Sequence, residues 1–130
     1  MSDEHVDVSV LGTLRDVMEG EYPALLDVFI KDSEKRVGAL NQLISAPGFS
    51  AESAAHLKPL GMMAHSFKGS SGNMGATRLT ELCRLLEEHA RSQASASSTV
   101  INQLVQAITD EFSVVRDLFD VELQACAHRR

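Results

Sequence analysis

Only three prolines interrupt the 130 residues, at positions 23, 47 and 59. Neither Asn-Gly nor Asp-Gly occurs. A chain this poor in breakers and hairpin signals is expected to be helical rather than stranded. Two cysteines, Cys83 and Cys126, are too few for a disulfide framework. Cys83 falls on an apolar helical stripe and reads as a buried thiol in a reducing compartment. The N-terminal residues 1–7 are acidic and lack a basic region followed by an apolar run, so no secretory signal is visible. No apolar run approaches the roughly 18 residues of a membrane span. These absences point to the cytoplasm. Twelve Lys and Arg stand against 18 Asp and Glu, for a formal net charge of −6. The basic footprint that nucleic acid demands is missing, so that class of partner is not expected.

What is present is an ordinary globular composition, 44% hydrophobic and 23% charged. The length suits a single domain over residues 1–130 with its core at about 8–124. Val8, Leu11, Leu14 and Val17 or Met18 suggest a short first helix ending near Gly20. Tyr22-Pro23 opens a long amphipathic helix through Leu26, Phe29, Ile30, Val37, Leu40 and Ile44, which Ala46-Pro47-Gly48 ends. Ser50–Leu57 reads as a short helical piece, with a break or kink at Lys58-Pro59. Another helix then runs to Gly75, a candidate left-handed terminator. Leu79, Leu82, Cys83, Leu86 and Ala90 share one face of the next. Residues 92–99 read as a loop. Ile101, Leu104, Val105, Ile108, Phe112, Val115 and Phe119 give the last helix the cleanest periodicity in the chain, and Arg129 and Arg130 follow as dipole partners or a frayed tail. The expected fold is all-α, an antiparallel four-helix bundle with an additional short N-terminal helix.

The segment Ala64–Gly75 carries the chemistry. At 100° per residue, His65, Lys68, Gly69 and Gly72 share one helical face, joined one turn earlier by Gly61. Leu60, Met63, Phe67 and Met74 form the opposite, apolar face. Three glycines within a helix cost about 2–3 kcal/mol relative to alanine, which folding alone does not justify. Clearing side chains so that a partner can reach His65 does. Ser70 and Ser71 lie toward the core side, where they can bond backward to helix carbonyls.

An imidazole can act as a base, a metal ligand or a phosphoryl acceptor. No nucleophile or orienting acid converges on His65 at helical spacing. His5, His56, His89 and His128 lie on other segments, and the paired Glu-x-x-His motifs of di-iron bundles are absent, so no metal site is expected. A phosphoryl acceptor asks for less: an exposed ring nitrogen, a neighbouring cation and room. Lys68 can offset the roughly −2 charge of a phosphoryl group, and Gly69 and Gly72 leave the room.

Ala64-His65-Ser66-Phe67-Lys68-Gly69-Ser70-Ser71, then Met74-Gly75-Ala76, Leu79, Leu82-Cys83 and Leu86-Glu87, resembles the histidine-containing phosphotransfer (HPt) domain, and the expected bundle covers nearly the whole chain. The resemblance implies that His65 accepts a phosphoryl group from a receiver-domain aspartate of a hybrid sensor kinase and passes it to a response-regulator aspartate. It implies that Lys68 stabilises the phosphohistidine, that Gly69 admits the partner, and that Gly75 ends the site helix. Several family members have a glutamine on the neighbouring helix that bonds the other imidazole nitrogen; Glu87 stands there instead. A carboxylate holds the tautomer more strongly but repels a phosphoryl group if too close. Gly61 and Met62 are expected to shape the docking rim. The protein needs no cofactor of its own, since the receiver brings Mg²⁺ and its aspartate cluster. A monomeric shuttle rather than an enzyme is implied. The competing reading is a helical adaptor that docks a partner without phosphoryl transfer, for which position 65 need not be histidine. A di-metal oxidase is a third, which metal analysis of the purified protein would test.

Overall fold

The computed structural model describes residues 5–92 and 96–128. Helix α1 spans Val8–Met18 and is followed by a 3₁₀ turn at Glu19–Glu21. The remaining helices are α2 (Tyr22–Ser45), α3 (Ala54–Asn73), α4 (Thr77–Arg91) and α5 (Ser98–His128). Contacts run α2 to α3, α3 to α4, α4 to α5 and α5 back to α2, which closes four helices into a ring. The fold is therefore all-α, a four-helix bundle with a short helix before it. No helix among the described residues is long and apolar enough to cross a membrane.

The periodic apolar positions build the core. Leu26, Leu40, Leu60, Phe67, Leu79, Leu86, Ile101, Ile108 and Phe119 are all within 1% of full burial. Burial of such side chains stabilises by roughly 1.5–3 kcal/mol each. Phe29 of α2 meets Phe119 of α5 with ring centroids 5.4 Å apart. At one end, Tyr22 donates to Glu122 at 2.7 Å and Arg15 bridges the same carboxylate at 3.0 Å, which ties α1, α2 and α5 together. Cys83 is fully buried, and that burial pushes its thiol pKa up to about 12, so it is an inert core residue.

Two expectations meet different outcomes at α3. The break at Lys58-Pro59 does not occur: the helix begins at Ala54 and continues through Pro59. Pro59 is the sixth helical residue, so it removes one bond, to the carbonyl of Ala55. Both residues are exposed, and water can satisfy that carbonyl. Leu57 and Leu60 are buried on either side of Pro59. Of the helical piece expected at Ser50–Leu57, residues 54–57 form the first turn of α3, preceded by a turn at Ala51 and Glu52.

The other end of α3 agrees with the sequence. Gly75 has φ +75°, Ala76 N–H donates to Ser71 C=O at 3.0 Å, and Gly75 N–H donates to Gly72 C=O at 3.1 Å. That is a Schellman termination, open to glycine because only glycine takes this φ without penalty. The carbonyl of Gly75 then accepts from Asp7 N–H at 2.7 Å, so the segment entering α1 is pinned against the α3–α4 turn. The expected loop at 92–99 lies partly on residues 93–95, outside the described residues, and α5 already starts at Ser98. Arg129 and Arg130 also lie outside them.

Candidate functional site

Because the α3–α4 turn is only Met74–Ala76, the two helices run antiparallel in a tight register. Gly72 lies against Thr80, His65 and Lys68 against Glu87, and Gly61 against Ala90. Each pair sits about one or two turns further from the connection than the last. This register turns three single-helix features into one cluster.

Glu87 is the centre of that cluster. Its side chain is 4% exposed, yet it holds three partners. Oε2 pairs with His65 Nδ1 at 2.7 Å, Oε1 accepts from Lys68 Nζ at 2.7 Å, and Arg91 Nη2 lies 2.9 Å from Oε2. A buried carboxylate requires such partners. The hydrogen bond from Lys68, with those from His65 and the charge of Arg91, holds its pKa below the usual carboxylate value against the opposing effect of burial. The group is thus ionised at neutral pH and accepts only, so the proton of the neutral imidazole belongs on Nδ1. Nε2 carries the lone pair. The His65 side chain is 60% exposed, and among the described residues no hydrogen bond occupies Nε2.

The glycines do not act alike. A Cβ on Gly69 would meet nothing within 4 Å, so the fold itself gives no reason for glycine there. Gly61, by contrast, is buried, with Ala90 Cβ 3.6 Å from where its own Cβ would lie. It lies in the α3–α4 seam, where its lack of a side chain makes room for Ala90, and it lines a surface depression together with Met62. Gly72 is exposed but borders Thr80 at 3.7 Å, so it too belongs partly to that seam. Gly69→Ala should therefore raise stability by about 0.5–1 kcal/mol through helix propensity. If Gly69 admits a partner, the same variant slows transfer; a chemical melt and a transfer assay on one preparation separate the two effects.

Met62 is 61% exposed and lies, with Met63, along a groove between α2 and α3 whose other wall is Lys35, Arg36 and Ala39. Arg36 donates to Ser66 Oγ at 2.7 Å and to Asp32 at 2.8 Å, so a cation from α2 reaches the residue that follows His65. Ser71 is buried and bonds back to the Lys68 carbonyl at 3.2 Å and across to Thr80 at 2.9 Å. Sequence reasoning missed Arg36 and Arg91. Arg91 had a signal, since it stands four residues after Glu87 on a helix; Arg36 had none, because its neighbour Ser66 is thirty residues away. Among the described residues no group of three or more His, Cys, Asp or Glu could hold a metal ion.

Comparison with known proteins follows the same outline. The family model described as the Hpt domain matches residues 24–118. The crystal structure of histidine-containing phosphotransfer protein B (HptB) from Pseudomonas aeruginosa PAO1 is 41% identical in sequence. The match covers 93% of this chain and 96% of that one, with a TM-score of 0.77. The X-ray structure of a rice protein named for histidine-containing phosphotransfer superposes with a TM-score of 0.82, over 100% of this chain and 89% of that one. At 17% identity it shows likeness of fold alone. No curated protein matches the chain.

Proposed function

Since this chain belongs to the Hpt domain family, we propose that it is a phosphoryl carrier in a multistep phosphorelay, with His65 as the acceptor. The observation that carries the reading is the division of labour on one imidazole: Nδ1 is committed to a buried carboxylate while Nε2 faces solvent. The donor is a receiver-domain aspartyl phosphate of a hybrid sensor kinase, and the recipient is a response-regulator aspartate.

In the first transfer, the Nε2 lone pair attacks phosphorus in line with the acyl-phosphate P–O bond. That bond breaks, its electron pair stays on the aspartate carboxylate, and an N–P bond forms. The ring becomes cationic, keeping its proton on Nδ1, where Glu87 stabilises the new charge. Lys68 offsets the phosphoryl oxygens. The second transfer is the same exchange in the opposite sense, to a different aspartate. Mg²⁺ belongs to the receiver, so this chain contributes position and charge rather than a kinase activity. Gly69 leaves the approach open, and Met62 offers an apolar contact beside it. One chain supplies every residue invoked, which suits a monomer, and the whole assembly suits the cytoplasm.

The test uses a receiver domain loaded with labelled phosphate. Label should pass to the wild type, survive alkali, be lost in acid, and be absent from His65→Gln. If several receivers fail to label the wild type, the carrier reading falls. If a receiver binds wild type and His65→Gln equally and labels neither, the adaptor reading replaces it.

A further inference from the structure

The charges around Glu87 do not balance in the resting site. With Glu87 at −1, Lys68 and Arg91 together at +2, and His65 in the neutral form that can attack phosphorus, the cluster stands at +1. Transfer adds a net −1, because the dianionic phosphoryl group arrives as the ring becomes cationic. The phosphorylated cluster is then neutral. Without Arg91 the same step would run from neutral to −1, beside a carboxylate that is only 4% exposed. A buried carboxylate that loses its cation partner is strongly disfavoured.

Position supports the arithmetic. Lys68 lies on α3, one turn from His65, where it can turn toward a phosphoryl group. Arg91 lies on α4, one turn beyond Glu87, along a depression formed with Lys58, Gly61 and Ala90. It reaches Oε2 of Glu87, while Lys68 holds Oε1. The two cations therefore have separate oxygens, and either can move without displacing the other.

We propose that Arg91 is a positioning residue for phosphoryl transfer: by staying on Glu87 it neutralises that carboxylate and lets Lys68 turn to the phosphoryl group on His65. The inference rests on the carrier reading above. It also explains how a carboxylate can stand so close to a phosphohistidine. Glu87 opposes the phosphoryl group only when it is uncompensated.

The experiment measures the phosphoryl-exchange equilibrium between a labelled receiver and this protein, for wild type, Arg91→Ala, Arg91→Lys, Glu87→Gln and the double variant Arg91→Ala/Glu87→Gln. Arg91 is 64% exposed, so its variants are expected to keep the fold, and circular dichroism checks this. Arg91→Ala should shift the equilibrium toward the receiver by about three- to tenfold. Arg91→Lys should restore most of the difference. In the Glu87→Gln background, where no carboxylate needs a cation, Arg91→Ala should produce no further shift. An unchanged equilibrium in Arg91→Ala overturns the proposal. So does a loss that persists in the double variant, because Arg91 would then be acting on the partner or the phosphoryl group itself. A wild type that takes no label overturns the carrier reading, and this inference with it.

Discussion

Gly75→Ala is expected to destabilise the protein by about 2–4 kcal/mol, a large part of the stability of a domain this size. Two separate costs meet at that position. The φ of +75° is strained for any residue with a Cβ. The added methyl would also lie 2.9 Å from Val10 Cβ and 3.0 Å from the Asp7 carbonyl, neither of them the tip of a flexible chain. Relief would require α1 to move off the α3–α4 turn and break the 2.7 Å bond from Asp7 N–H. Urea unfolding should show a lower midpoint at unchanged slope. A loss below about 1 kcal/mol would mean that the α1 segment is not held against the turn as described. The turn matters beyond stability, since it sets the α3–α4 register that brings Glu87 to His65.

Glu87→Leu should leave the protein folded but reduce phosphoryl transfer by about 10- to 100-fold. Leucine fills the buried space, while Lys68 and Arg91, 32% and 64% exposed, can reach water once the carboxylate is gone. The imidazole loses the acceptor that commits its proton to Nδ1. Glu87→Gln keeps an acceptor in the amide oxygen and should lose far less. The two variants measured side by side separate orientation from charge, and equal rates in Glu87→Leu and wild type would show that Glu87 orients nothing. Acid stability gives an independent check. The carboxyl pKa is lowered on folding from an ordinary value of 4.5. Its contribution to stability is therefore present above that value and is lost as pH falls through the lower, folded pKa. The stability gap between wild type and Glu87→Gln should be level near neutrality and shrink only in that acidic window.

Much of the bundle was legible because burial repeats along each helix. The stripe from Ile101 to Phe119 is the buried face of α5, and the bounds of α2 follow from Tyr22-Pro23 and Ala46-Pro47-Gly48. Pro59 was misleading because the rule against proline concerns a lost bond and a clash, whereas the consequence depends on whether the orphaned carbonyl faces water and what packs nearby. The three glycines show a sharper limit. A helical projection puts Gly61, Gly69 and Gly72 together, but only the position of α4 reveals that Gly61 and Gly72 border it and Gly69 does not. The family resemblance placed Glu87 near His65, but the pattern of its own helix did not. Its burial, and the convergence of His65, Lys68 and Arg91 upon it, arise from the register between two helices, which no single-helix pattern contains.

A long-range ¹H–¹⁵N spectrum of the His65 ring before and after phosphorylation reads the roles of its two nitrogens directly. The resting imidazole should be protonated on Nδ1, and phosphorus should be attached to Nε2 with the Nδ1 proton retained. A resting ring protonated on Nε2, or phosphorus found on Nδ1, would contradict this assignment of the two nitrogens.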